Sequence, residues 1–146
     1  MDTIRLKARA KINLGLDVVR RREDGYHEVK MVMQMLRLYD QIDIEKTQES
    51  GIFVRSNLSF LPTDERNIAY KAAKVMIDQF GLEQGVIIRI EKHIPVAAGM
   101  AGGSTDCAAV LYGMNKLFGL RLNQKKLREL GVKLGADVPY CLMRQT

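Results

Sequence analysis

The sequence predicts an α+β fold in which helices pack on one face of a mostly antiparallel sheet. The first forty-odd residues read as strands, with a weaker candidate near 52–54, and helices alternate with strands after residue 64. The 146 residues suit one domain with a real core, and 47% hydrophobic with 27% charged residues is the balance of a globular rather than a disordered chain.

The amino-terminal strands are predicted from alternation of apolar and polar residues. Ile4, Leu6 and Ala8 alternate with basic side chains, the period-two pattern of a half-buried strand. Asp24-Gly25 is a turn signal between two later apolar stretches. The further candidate strands lie at 12–19, 29–38, 42–44 and 52–54. We expect these strands to form an antiparallel meander.

The first helix is predicted where apolar residues begin to recur at helical spacing. The residues in question are Ile68, Ala72, Val75, Met76 and Phe80. Thr63 or Asp64 is expected to cap the start of this helix, and Gly81 to end it.

The carboxy-terminal part is predicted to contain a strand, a glycine-rich loop, two helices and a final strand. The ranges are 86–90 for the strand, about 104–118 and 124–134 for the helices, and 140–146 for the last, strand-like run. Asn123 is expected to cap the second of these helices. Since no closing element follows residue 146, we expect a truncated domain, and a homodimer is one arrangement that would cover its edge.

Charge and cysteine content narrow the class of protein. The formal net charge is +6, with basic runs at 20–22 and 116–133, which suits anionic partners, either phosphorylated small molecules or nucleic acid. The commoner interpretation of the run 125–133 is a solvated helix face. Cys107 and Cys141 lack metal-ligand spacing and are expected to be buried thiols. No secretory or membrane-spanning pattern is evident, so a cytoplasmic location without a membrane partner is expected.

A run of small residues before the predicted second helix is the strongest candidate site. Its glycines let the backbone approach a ligand closely, and the helix directs free amides and a positive dipole end toward the loop. Such a loop suits the phosphates of a nucleotide, although it lacks the Walker A and dinucleotide-binding patterns, and tight packing is the alternative. The residues are Pro95, Val96, Ala97, Ala98, Gly99, Met100, Ala101, Gly102, Gly103, Ser104 and Thr105.

Two charged residues in apolar surroundings are further candidates. Lys11 lies within an apolar stretch, where a lysine is costly unless its ammonium group reaches a partner or ligand. Asp137 is flanked by small and apolar residues in 134–139. Taken alone, a solvent-facing lysine and a helix-end aspartate are the commoner interpretations.

Together these segments resemble the GHMP family of small-molecule kinases. Residues 7–14 resemble its first motif, 94–106 its ATP loop, and 134–139 the segment with its catalytic aspartate. The segment Asp24-Gly25-Tyr26-His27-Glu28 resembles a motif of those members that act on a cytidine-diphosphate-linked polyol. The resemblance runs along nearly the whole chain, and it implies the ribosomal-protein-domain-like fold of the GHMP amino-terminal domain over residues 1–146, without the carboxy-terminal domain.

The resemblance implies Mg-ATP-dependent phosphorylation of a hydroxyl of 4-diphosphocytidyl-2-C-methyl-D-erythritol, in the non-mevalonate route to isoprenoids. Asp137 would accept the proton of the attacking hydroxyl, with Lys11 as its charge partner. The loop would hold the ATP phosphates, and Ser104 or Thr105 would contact Mg²⁺. Asn13, Tyr26 and His27 would recognise the cytosine end of the substrate.

Three alternatives remain open from the sequence. Another GHMP kinase would share the loop but would not need Tyr26 and His27. A non-catalytic remnant would bind nucleotide without transferring phosphate, since the second domain is missing. An RNA-binding domain would suit the pI of about 9.4, but only 6% of residues are aromatic and they do not interleave with basic ones, so no nucleic-acid partner is expected.

Overall fold

The computed structural model describes residues 1–10, 37–95 and 102–143, and these form four strands and four helices. The strands are β1 (Thr3–Arg9), β2 (Tyr39–Thr47), β3 (Ile52–Ser56) and β4 (Gly85–Glu91). The helices are α1 (Ile68–Phe80), α2 (Gly102–Leu117), α3 (Gln124–Val132) and α4 (Val138–Met143). The predicted α+β class is confirmed. No helix among these residues is long and apolar enough to cross a bilayer.

The sheet has the strand order β1-β2-β4-β3. β2 pairs antiparallel with β1 and with β4, whereas β3 pairs parallel with β4, so the sheet is mostly antiparallel as predicted. The expected meander is wrong for β3, because the chain crosses over through α1 before β4 and therefore returns in the same direction. The predicted strand at 12–19 and most of that at 29–38 lie outside the described residues.

The two faces of the sheet differ as the period-two pattern predicts. The inward face is apolar and buried, with Leu6, Ala8, Ile42, Ile44, Val54, Ile88 and Ile90. The outward face carries ion pairs, Arg5 with Asp43 at 2.8 Å and Arg89 with Glu45 at 3.0 Å. Helices α1 and α2 contact each other and the sheet, and α2 lies closest to β1 and β2. A Cβ built on Gly113 of α2 would come within 2.6 Å of Leu6 Cδ1, so helix and strand approach each other closely there.

The caps of α1 differ in part from the prediction. Asn67, rather than Thr63 or Asp64, is the amino-terminal cap, since its side chain accepts a hydrogen bond from the Ala69 N–H at 2.9 Å. Asp64 does not cap the helix, because its carboxylate accepts hydrogen bonds from the backbone N–H and the guanidinium group of Arg66, before the helix begins. Gly81 ends the helix in a left-handed conformation with φ of 58°, as predicted.

The carboxy-terminal helices include one confirmed cap and one correction. The Asn123 side chain accepts a hydrogen bond from the Lys126 N–H at 2.9 Å and caps α3. The strand predicted at 140–146 is wrong, because its described part belongs to α4. The buried residues of α4 fall at the i, i+3, i+4 spacing of a helix, and proline in the first turn loses no hydrogen bond. These buried residues are Val138, Cys141 and Leu142.

Both cysteines lie in the core as expected. Cys107 of α2 and Cys141 of α4 are 0% and 2% exposed, and neither forms a disulfide.

The basic run at 125–133 was interpreted as a solvated helix face. Its residues Lys125, Arg128 and Lys133 are exposed, which agrees with that interpretation.

Candidate functional site

The amino end of α2 contains the described part of the predicted phosphate loop. The helix begins at Gly102, close to the predicted start, and its first turn exposes Gly103 and part of Ser104. Amides in a first turn have no partner within the helix, and the helix dipole adds positive potential there. The following residue, Thr105, is only 2% exposed. The open side of this helix end is therefore formed by backbone and by one serine hydroxyl.

The entry to the loop lies at the end of β4. Pro95 is exposed, whereas Ile94 before it is buried at 1% exposure. The loop residues Val96, Ala97, Ala98, Gly99, Met100 and Ala101 lie outside the described residues.

The end of β1 lies beside this entry. Ala10 forms a small hydrophobic cluster with Ile94 and Leu38, and its N–H donates to the Leu38 carbonyl at 2.9 Å. The residue before Lys11 therefore packs against the residue before Pro95. Lys11 itself and the predicted substrate residues Asn13, Tyr26 and His27 lie outside the described part of the chain.

The segment that precedes Asp137 lies near the same helix end. A Cβ built on Gly135 would lie 3.9 Å from the Ser104 hydroxyl oxygen. Asp137 is partly exposed just before α4, and its carbonyl accepts a hydrogen bond from the Cys141 N–H at 3.2 Å. The fold thus brings the 135–137 turn close to the start of α2, although more than thirty residues separate them in sequence.

A buried ionic cluster, formed by Asp40, Lys92 and Asp106, lies behind the start of α2. Lys92 Nζ is 2.6 Å from Asp40 Oδ2 and 3.0 Å from Asp106 Oδ2. The three residues are 0%, 8% and 4% exposed. Among the described residues, Asp106 Oδ1 is buried without a hydrogen-bond partner.

The cluster contains two carboxyl groups for one ammonium group, and their pKa values move in opposite directions. Burial and a hydrogen bond with Asp40 raise the pKa of Asp106 well above its usual value, despite the nearby Lys92. Burial works against a charged Asp40, but hydrogen bonds from Asp106, Ile94, Lys92 and His93 outweigh it and lower the pKa. Burial likewise works against a charged Lys92, but Asp106 and Asp40 outweigh it and raise the lysine pKa. Of the two carboxyl groups, Asp106 is therefore the one that keeps a proton more readily.

The cluster also holds the backbone at the entry to the loop. Asp40 Oδ1 accepts hydrogen bonds from the His93 and Ile94 N–H groups at 2.7 and 2.9 Å. The Asn57 side chain binds both backbone groups of Lys92, accepting from its N–H at 2.8 Å and donating to its carbonyl at 3.2 Å.

The sequence pattern did contain a signal for this cluster, although no role was predicted for its three residues. Asp40 lies two residues before the buried Ile42 of β2, and Lys92 lies two residues after the buried Ile90 of β4, so both occupy inward-facing positions. The pairing of β2 with β4 ends with Gln41 opposite Glu91, and Asp40 and Lys92 are the next positions on the two segments. Opposite charges in the inward phase of two apolar strands indicate a buried pair.

Comparison with known proteins identifies what this chain resembles. The model of the family "GHMP kinases N terminal domain" matches residues 67–145. A 4-diphosphocytidyl-2-C-methyl-D-erythritol kinase of Lachnospira eligens is 56% identical over 146 residues, which is 100% of this chain and 51% of that protein. A kinase of the same name from Clostridioides difficile is 56% identical over 142 residues, covering 97% of this chain and 48% of its own length.

Solved structures show the same fold. A homoserine kinase from Cytophaga hutchinsonii superimposes with a TM-score of 0.70 at 18% identity, covering 97% of this chain and 42% of that one. A 4-(cytidine 5'-diphospho)-2C-methyl-D-erythritol kinase gives a TM-score of 0.55 at 26% identity, covering 97% and 47%. The chain spans about half the length of the relatives it matches.

Proposed function

The chain belongs to the GHMP kinase family, and from that premise we propose that it forms the ATP-binding half of a kinase that phosphorylates a hydroxyl of 4-diphosphocytidyl-2-C-methyl-D-erythritol. The observation that carries the proposal is the 56% identity, over the whole chain, to a kinase named for that substrate. We assign residues 1–146 to the amino-terminal domain of this kinase.

The ATP phosphates would bind at the amino end of α2. The free amides of its first turn and the dipole of a 16-residue helix favour anions. Exposed glycine at 103 supports this role, because no side chain stands between the backbone and a ligand. In this proposal the segment from Pro95 to Thr105 surrounds the phosphates.

Asp137 would be the base that accepts the proton of the attacking hydroxyl, and Lys11 its charge partner. Two contacts support this pairing: the 135–137 turn lies near Ser104, and Ala10 packs against Ile94. The first contact lies at the start of α2 and the second at the entry to the loop that precedes it. Phosphoryl transfer depends mainly on positioning and charge stabilisation, which these few groups can supply.

A magnesium ion would be held largely by the phosphates themselves. No group of three acidic, histidine or cysteine side chains in the described residues suits a protein-only metal cage. The partly exposed Ser104 hydroxyl fits a single protein ligand, while Thr105 is buried. When bound, Mg²⁺ neutralises phosphate charge in this class of reaction.

At the other end of the substrate, Asn13, Tyr26 and His27 would recognise the cytosine. An amide and an imidazole supply hydrogen bonds to the base edge, and the tyrosine ring supplies a stacking surface. This part of the proposal rests on the sequence motif alone.

The test is ADP release from Mg-ATP with 4-diphosphocytidyl-2-C-methyl-D-erythritol. The parent chain is compared with Asp137→Asn and with Asp78→Asn, which changes an exposed carboxylate of α1. We expect turnover in the parent and in Asp78→Asn, and a loss of about 100-fold or more in Asp137→Asn, as for removal of a general base.

Three other results would change the assignment. Mg-ATP binding without turnover would favour a nucleotide-binding half that needs the relatives' second half for transfer, an alternative supported by the half-length match. Faster ADP release with homoserine or mevalonate would contradict the proposed substrate. Absence of both binding and turnover would refute the proposal for this chain.

A further inference from the structure

The buried ionic cluster joins three separate parts of the fold. Asp40 lies near the start of β2, Lys92 directly follows β4, and Asp106 lies in the first turns of α2. Lys92 is within 3.0 Å of both carboxyl groups. The lysine therefore connects the end of the sheet with the helix end at which phosphates would bind.

This cluster is an expensive way to stabilise a fold. Removing an ammonium and two carboxyl groups from water costs several kcal/mol per ion, and apolar replacements of similar volume are often as stable or more so. The surrounding core already contains fully buried Ile42, Ile90 and Val110. A positioning role accounts for charged groups at this place better than stability alone.

The hydrogen bonds of the cluster define both ends of the segment between β4 and α2. At the first end, Asp40 binds the His93 and Ile94 amides, and Asn57 binds the backbone of Lys92. At the second end, Lys92 binds Asp106. Four side-chain-to-backbone hydrogen bonds thus hold residues 92–94, and the Lys92–Asp106 hydrogen bond ties them to α2.

We propose that the cluster is a positioning device in which Lys92, through Asp106 and Asp40, fixes the amino end of α2 against the end of β4 and thereby sets the affinity for nucleotide phosphates. The inference rests on the proposed function, because it assumes that phosphates bind at this helix end. Lys92 is a positioning residue in it, since its ammonium group is engaged by two carboxyl groups and is buried.

The first test compares Lys92→Met with Lys74→Met, which removes the lysine of an exposed ion pair with Asp78. Calorimetric titration measures the affinity of each chain for Mg-ATP and for tripolyphosphate, which lacks the nucleoside. We expect Lys92→Met to bind both ligands about tenfold more weakly or worse, since small misplacements at a site have large effects, and Lys74→Met to match the parent.

A second pair of variants guards against a Lys92→Met chain that fails to fold. Asp106→Asn is uncharged and keeps a side-chain oxygen that can accept a hydrogen bond from Lys92, whereas Asp106→Ala removes this contact. We expect Asp106→Ala to lose about tenfold in affinity and Asp106→Asn to stay within about threefold of the parent. Equal affinities in these two variants would contradict the proposal.

Hydrogen exchange without ligand separates positioning from general stabilisation. In Lys92→Met we expect faster amide exchange at 93–95 and 102–106, with the rest of the described residues unchanged. Exchange that accelerates uniformly, or unchanged affinity in a folded Lys92→Met chain, would overturn the inference. A parent chain that binds neither ligand would instead refute the proposed function, and the affinity part of the inference with it.

Discussion

The pKa of the Asp106 carboxyl group is set by the groups buried around it. This carboxyl group is 4% exposed, and it shares Lys92 with the Asp40 carboxylate at 2.6–3.0 Å. Burial, followed by a hydrogen bond with Asp40, raises the pKa of Asp106 well above its usual value, and the nearby Lys92 offsets only part of this. The same amino acid at Asp64, on the surface beside Arg66, has a lowered pKa.

The raised pKa of Asp106 predicts a dependence of stability on pH. The folded protein holds the Asp106 proton more tightly than the unfolded chain does. The free energy of unfolding therefore falls as pH rises from the unfolded pKa of about 4 toward the folded pKa. Asp106→Asn has no titrating carboxyl group at this position, so this decrease is absent in the variant. We expect the variant's free energy of unfolding, relative to the parent, to increase between pH 4.5 and 7.5, by up to about 1.4 kcal/mol per pH unit.

Urea unfolding at a series of pH values measures this difference, and Asp78→Asn is the surface control. Above pH 4.5 the lowered pKa of Asp40 contributes no slope, because its stabilisation changes only below the unfolded pKa. A relative stability of Asp106→Asn that stays flat over this range would mean that Asp106 is ionised in the fold.

At the scale of elements, the start of β4 depends on close contact between backbones. The Gly85 N–H donates to the Glu49 carbonyl at 2.9 Å, and the Val86 N–H donates to the Gly51 carbonyl at 2.9 Å. A Cβ on Gly85 would meet the Gly51 carbonyl oxygen and would lie 2.5 Å from the Glu49 carbonyl oxygen. These neighbours are backbone atoms, so a side-chain rotation cannot relieve the clash.

Gly85→Ala is therefore expected to lower the free energy of unfolding by about 3 kcal/mol, the upper range for overpacking. Urea denaturation measures the change, with Gln84→Ala as the control because Gln84 is exposed next to it. We expect the control to remain within about 0.5 kcal/mol of the parent. An equally stable Gly85→Ala chain would show that the Glu49–Gly51 turn can move away from β4.

At the scale of the whole molecule, one hydrophobic core joins the sheet to all four described helices. Both thiols belong to this core, Cys107 from α2 and Cys141 from α4. Burial also raises the pKa of the Cys107 thiol, which suppresses its reactive thiolate form.

We therefore expect neither thiol to react with a disulfide reagent until the molecule unfolds. The labelling rate in native buffer should follow the population of the unfolded state, so it should rise with urea in proportion to that population. Cys107→Ala and Cys141→Ala chains report each thiol separately. Fast labelling of Cys141 alone would show that α4 opens locally without the rest of the core.

Much of the fold could be predicted because its signals are local. Alternation identified β1, helical spacing identified α1, and Asn123 and Gly81 were identified as helix ends. The glycine-rich loop and its family motifs likewise depend on residues that are adjacent in the chain.

The features that were missed depend on residues far apart in the chain. The parallel pairing of β3 with β4 is set by the crossover through α1, and α4 forms because its apolar face packs against α2 and α3. The buried ionic cluster brings together Asp40, Lys92 and Asp106, the first two more than fifty residues apart. The sequence by itself determined the strand β1, the helix α1, the helix ends at Gly81 and Asn123, and which family's motifs are present. Only the tertiary structure decided which charged side chains share a buried space, because burial and proximity are properties of packing.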